Sequence, residues 1–203
     1  MSLRLPHRPV DSGGQVAILA RMKKSTLFGL FVFVAAVLAK NMAPIHEIPL
    51  KDIDGKATSL GAFAGKTILL VNVASKCGYT PQYEALEEVH RRYKDRGFTV
   101  VGVPCNDFGS QEPGSNKEIK EFCSTKYSVS FPLLDKIHVK GPEQHPLYAH
   151  LTGKDAAYPG DIKWNFGKFL IGPDGKVLKR WDSGVKPDSK EVAEAIEASL
   201  PKK

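Results

Sequence analysis

The stretch Thr67-Ile-Leu-Leu-Val-Asn-Val-Ala-Ser-Lys-Cys-Gly-Tyr-Thr-Pro81 constrains this chain more than any other. Ile68 to Val73 is a nearly unbroken apolar run. Such a run reads as a strand buried on both faces, as in a parallel or mixed α/β sheet. Ala74 to Thr80 breaks the run, and Pro81 stands where a helix can begin, since its missing N–H has no intrahelical partner there. Cys77 is thereby set between the end of a central strand and the start of a helix. Open α/β sheets place their chemistry in that region, and a helix N-terminus favours a thiolate over a thiol. The alternative is a loop cysteine with no chemical role.

The flanking segments extend the pattern. Leu86, Val89, His90 and Tyr93 recur at three- and four-residue spacing, which predicts a helix over Tyr83 to Asp95, stopped by Gly97. Phe98 to Val103 is a second buried strand, so strand, helix and strand form a βαβ unit. Upstream, Asp54-Gly55 lies between two short candidate strands in Leu50–Leu60, a hairpin signal. Downstream, Ser115-Asn-Lys-Glu118 is a capping box that opens a helix to about Lys126. Phe131 to Val139 reads as extended or irregular, and His145 to Leu151 as a short helix. Lys168–Ile171 and Lys176–Trp181 flank Gly172-Pro-Asp-Gly175, a second hairpin. Asp188 to Leu200 is a helix with Val192, Ala195, Ile196 and Leu200 on one side. A βαβ unit followed by ββα describes an α/β, thioredoxin-like fold, here with an N-terminal β-hairpin and an inserted helix.

The first forty residues stand apart. Residues 1–21 hold Pro6, Pro9 and Gly13-Gly14 and show no periodicity, so they read as a non-native extension ahead of a true start at Met22. Residues 22–39 pair Lys23-Lys24 with the apolar stretch Leu27–Ala39, which suits a signal peptide and is too short to span a bilayer in the usual way. Val37-Leu-Ala39 or Asn41-Met-Ala43 would supply the cleavage pattern. The expected product is exported, periplasmic or secreted; an uncleaved anchor over residues 25–39 is the alternative. Residues 40–203 form the expected folded domain. Much of the net charge of +7 sits in residues 1–39, and no basic run or Arg/aromatic alternation follows, which argues against nucleic acid as a partner. The three cysteines, 77, 105 and 123, are too few and too irregularly spaced for a disulfide scaffold or a zinc site.

Three separated blocks then carry a family resemblance: Val71-Asn-Val-Ala-Ser-Lys-Cys-Gly-Tyr-Thr80, Pro104-Cys-Asn-Asp-Phe-Gly-Ser-Gln-Glu-Pro-Gly114, and Trp164-Asn-Phe166 followed by Lys168-Phe-Leu170. From about Ile45 to Leu200 the chain resembles the glutathione peroxidase family in its cysteine rather than selenocysteine form, as a bacterial exported member. The resemblance implies a thioredoxin-like fold, reduction of hydrogen peroxide and organic or lipid hydroperoxides, and no metal or organic cofactor. It implies Cys77 as the peroxidatic residue and Gln111, Trp164 and Asn165 as the polar partners of its thiol. Cys105 matches a cysteine that is usually not catalytic.

These residue types suit the chemistry. A thiolate, not a thiol, attacks peroxide, and a free cysteine near 8.5 is only a few per cent thiolate at neutral pH. Lowering a thiol to about 6 takes roughly 3.4 kcal/mol, and a hydrogen bond to a charged group contributes about 1.5–3 kcal/mol. Two neutral donors among Gln111, Trp164 and Asn165 would suffice, and the same donors can polarise the leaving oxygen. Gly78 and Thr80 are expected to shape the loop, and Lys76 to point to solvent. Cys-Gly-Tyr-Thr lacks the second cysteine of a dithiol oxidoreductase motif.

Attack leaves a sulfenic acid that must be resolved. In thioredoxin-dependent members a cysteine on the helix after the Gln block does this, which makes Cys123 the candidate. Cys123 stands nine residues before Pro132, about one residue further than that pattern; one helical step turns a side chain by about 100°. It is either a resolver reached by local unfolding or a small buried hydrophobe. A thioredoxin-like protein is the expected reductant with a resolver, and glutathione without one. Tetrameric members of that family carry a longer insertion between Leu151 and Trp164, so the resemblance implies a monomer with an open site. A redox relay, in which Cys77 passes oxidation to a partner protein, is the competing function, since oxidising compartments lack a thioredoxin pool.

Overall fold

The computed structural model describes residues 44–202. The expected extension, signal peptide and alternative anchor lie outside the described residues, as do both cleavage patterns. No helix among the described residues is long and apolar enough to cross a membrane.

The apolar run folds as expected: β3 (Thr67–Val73) is buried at every position. It pairs in parallel with β4 (Phe98–Pro104), also buried throughout, from Thr67 opposite Phe98 to Val73 opposite Pro104. Helix α1 (Gln82–Tyr93) makes the crossover between them, and Gly97 ends the segment in the left-handed region at φ 81°. On its other edge β3 pairs antiparallel with β5 (Lys168–Ile171), which pairs in turn with β6 (Val177–Trp181). The sheet order is therefore β4-β3-β5-β6, a mixed sheet of the thioredoxin type. The short strands β1 (Leu50–Lys51) and β2 (Ala57–Thr58) form the N-terminal hairpin.

Alternation along the strands divides the core. Leu69, Val71 and Val73 of β3 face a layer with Tyr83 and Leu86 of α1 and with Val192 and Ile196 of α4 (Lys190–Ser199). Ile68 and Leu70 face the opposite layer, with Leu147 and Leu151 of α3 (Pro146–Thr152) and Phe169. The capping box is formed: Ser115 accepts from the Glu118 N–H, and Glu118 accepts from the Ser115 N–H, opening α2 (Asn116–Tyr127). Phe131–Val139 forms no strand of its own but is tied to the body by isolated bridges, Leu133 to Gly102 and Leu134 to Asp52, and by the Asp135 N–H to Lys51 O and the Ile137 N–H to Pro104 O. Helix α1 buries six side chains, whereas the equally long α2 buries only Ile119 and Cys123. That contrast makes α2 the more weakly held of the two.

Candidate active site

The C-terminal ends of β3 and β4 lie side by side, so the loops that leave them are neighbours. The Cys105 N–H donates to Val73 O, and the Lys76 N–H donates to Gln111 O at 3.0 Å. Two of the three sequence blocks are thus stitched together by backbone. The third arrives through Asn72, buried on β3: its carbonyl accepts from the Phe166 N–H at 2.6 Å, and its Nδ2 donates to Trp164 O at 3.1 Å.

Cys77 sits in the turn between β3 and α1. Thr80 holds that turn: its Oγ1 accepts from the Cys77 N–H and donates to Ala74 O, both at 2.9 Å. Thr80 therefore shapes the loop as expected. Gly78 does not need to be glycine, since its φ is not positive and a Cβ there meets nothing within 4 Å. Lys76 is exposed. The Tyr79 N–H donates to Cys77 Sγ at 3.4 Å. Cys77 keeps 8% of its surface exposed, while Cys105 and Cys123 keep none, so of the three thiols only Cys77 meets solvent.

Asn165 is fully buried and its Nδ2 donates to Gln111 Oε1 at 3.0 Å. The Asn165 Oδ1 is left without a partner. Whichever way round the two amides sit, one NH2 group of the pair stays unspent. Trp164 is 39% exposed and its ring rests on Phe108, centroids 5.7 Å apart. Among the described residues no hydrogen bond runs from Gln111, Trp164 or Asn165 to Cys77 Sγ; the donor at the sulfur is the Tyr79 N–H, which sequence reasoning did not single out. A backbone donor at a helix entrance carries no residue signature beyond the Cys-x-x-x-Pro81 context. Beside Cys77, Gly78, Tyr79, Gln82, Lys186 and Pro187 line a groove of about 400 Å³.

Lys168 is a second residue to which the sequence alone assigns no role. It lies opposite Val71 and Trp181, so its side chain points into the layer under α1 and α4. It is fully buried, and burial lowers its pKa to about 7, against the pull of Asp182. Its Nζ donates to Phe166 O at 2.6 Å and to Ser183 O at 3.5 Å.

The other thiols are poor nucleophiles where they sit. Burial pushes Cys105 up to about 12; its Sγ donates to Asp107 Oδ2 and accepts from the Asp107 N–H. Burial pushes Cys123 up to about 11. It faces the inner layer with Cys77 and Tyr83. The Tyr83 hydroxyl lies beside the Cys123 thiol yet makes no hydrogen bond of ordinary geometry. Glu112 is also buried, and desolvation raises its pKa.

The chain is similar to known proteins over most of its described length. A family described as glutathione peroxidase matches residues 45–152. A hydroperoxy fatty acid reductase of Synechocystis is 52% identical, covering 77% of this chain and 95% of its own. The thioredoxin/glutathione peroxidase of Escherichia coli is 47% identical, with 75% and 95% covered. A glutathione peroxidase-like peroxiredoxin of Saccharomyces cerevisiae is 46% identical, with 78% and 98% covered. Among solved structures, T. cruzi GPX1 is 34% identical with a TM-score of 0.57, covering 78% of this chain and 94% of that one.

Proposed function

The chain belongs to the glutathione peroxidase family, and we propose that it reduces hydroperoxides through Cys77, with Gln111, Trp164 and Asn165 as the polar groups around the reacting atoms. It is a thiol peroxidase with a thioredoxin-like fold. The observation that carries the assignment to Cys77 is the convergence of three distant blocks on one sheet edge, where Cys77 alone of the three thiols has exposed surface.

In the proposed reaction the Cys77 thiolate attacks one peroxide oxygen and the O–O bond breaks. The sulfur is oxidised by two electrons to a sulfenic acid; the other oxygen takes a proton and leaves as water or alcohol. The Tyr79 N–H stabilises the anionic sulfur, and the free NH2 of the Gln111–Asn165 pair is available to the leaving oxygen. A thiol then attacks the sulfenic acid and releases water. Cys123 is the internal candidate, and a thioredoxin-like protein or glutathione completes the cycle. The relatives' names, a thioredoxin/glutathione peroxidase and a hydroperoxy fatty acid reductase, support both reductant classes and organic hydroperoxides.

The purified chain is expected to turn over many equivalents of peroxide with thioredoxin and its reductase, and Cys77→Ser none. A wild type that consumes a single equivalent and stops would instead favour the redox relay. The proposed export rests on Lys23-Lys24 and the apolar residues 27–39; mass analysis of the mature N-terminus tests it. The proposed monomer rests on the short segment between Leu151 and Trp164, and light scattering on the eluted protein tests it.

A further inference from the structure

Lys168 is buried at the start of a central strand with no carboxylate in contact among the described residues. An alkyl side chain would fill that place at lower desolvation cost. Its Nζ donates instead to two backbone carbonyls, Phe166 O at 2.6 Å and Ser183 O at 3.5 Å. Both carbonyls matter to the site. Phe166 has φ 64°, a left-handed conformation that a bulky side chain seldom adopts. Its peptide is held from both ends, the N–H by Asn72 O and the carbonyl by Lys168. Trp164 and Asn165 immediately precede this clamped residue. Ser183 O also accepts from Gln82 Nε2 at 2.7 Å, and Gln82 is the first residue of α1, the helix that follows Cys77.

We propose that Lys168 is a positioning residue of the peroxidase site, whose Nζ locks the left-handed Phe166 turn and ties it through Ser183 to the helix behind Cys77. It holds Trp164 and Asn165 in register with the thiol without touching substrate. The proposal rests on the assignment of Cys77, Trp164 and Asn165 above.

The test compares wild type, Lys168→Met and Lys168→Gln as full chains. Met matches the length and leaves Phe166 O without a donor, while Gln keeps a donor. The readouts are the rate of Cys77 oxidation by hydrogen peroxide in a single turnover, and the fluorine NMR signals of 5-fluorotryptophan at Trp164 and Trp181, assigned with Trp181→Phe. Lys168→Met is expected to slow oxidation by about ten- to a hundredfold while remaining folded, and to shift or broaden the Trp164 signal. Lys168→Gln is expected to recover part of both. A wild-type rate and Trp164 signal in Lys168→Met overturns the proposal; so does a lower melting temperature with an unchanged rate, which describes a purely structural residue. Should Lys168→Met not fold, Lys168→Gln with Gln82→Met, which removes the second tie to Ser183 O, reads the same two quantities, and wild-type values in both would overturn it. A wild type whose Cys77 is not oxidised sinks the peroxidase assignment instead, and the Trp164 signal still reports whether Lys168 sets that turn.

Discussion

Asn165 Nδ2 donates to Gln111 Oε1 at 3.0 Å, joining residues 54 positions apart. Each amide limits where the other can point, so in the proposed mechanism they act as one donor unit. Gln111→Ala and Asn165→Ala are each expected to slow Cys77 oxidation by about 10²-fold or more, the usual loss when one donor to a developing anion is removed. The double variant should cost little more than either single one, because each deletion already releases its partner. Stopped-flow oxidation of the four proteins measures the coupling; strictly multiplicative losses would mean the amides act independently.

Thr80 and Gly78 flank the reactive turn and should behave oppositely. Thr80→Val leaves the Cys77 N–H and Ala74 O without their partner in a site that is 5% exposed. The expected loss is about 2–3 kcal/mol. Gly78→Ala meets no atom within 4 Å and needs no special backbone angle, so a change within about 0.5 kcal/mol is expected. Urea unfolding at constant m separates the two. A large loss from Gly78→Ala would contradict this account of the turn.

Cys123 has no exposed surface and shares the inner layer with Cys77, and a disulfide between them is expected to displace α2. The helix is suited to that, since only Ile119 and Cys123 of its twelve residues are buried. If Cys123 resolves, peroxide treatment of wild type should give a Cys77–Cys123 disulfide and faster amide exchange over 116–127, with α1 still protected. Cys123→Ser should keep the first oxidation rate and accumulate sulfenic acid. A wild type that also accumulates sulfenic acid would make Cys123 a packing residue and leave resolution to an external thiol.

Most of the fold was legible because its signals are local. The apolar run of β3, the Ser115–Glu118 box and Gly97 each specify their element without distant help. The candidate site was legible as a set of blocks but not as contacts. Nothing in the local pattern says that Asn165 spends its amide on Gln111, because that bond depends on how the turn after Trp164 is folded. Phe166 in a left-handed conformation gives no signal, since such turns usually announce themselves by Gly or Asn. Lys168 heads an otherwise apolar strand, and a lysine there reads as a solvent-facing end. Only the antiparallel register with Val71 and Trp181 turns it inward.

That buried lysine should also mark the pH dependence of stability. Its pKa is about 7 in the folded chain against an ordinary 10.5. Between those values the unfolded chain holds more of this proton, so stability rises with pH. The contribution is fully present above 10.5 and is lost as pH falls to about 7. Cys105 and Cys123 act in the opposite sense: raised from 9.0 to about 12 and about 11, they stay protonated when folded, and stability falls as pH climbs past 9. His90, His145 and His150 are all lowered by burial and act below 6.5. Stability should therefore climb by about 2 kcal/mol between pH 7 and pH 9 and then turn over. Lys168→Met should abolish the climb and keep the fall. Urea unfolding under reducing conditions at pH 7, 8, 9 and 10 measures both limbs, and an unchanged climb in Lys168→Met would assign it to another group.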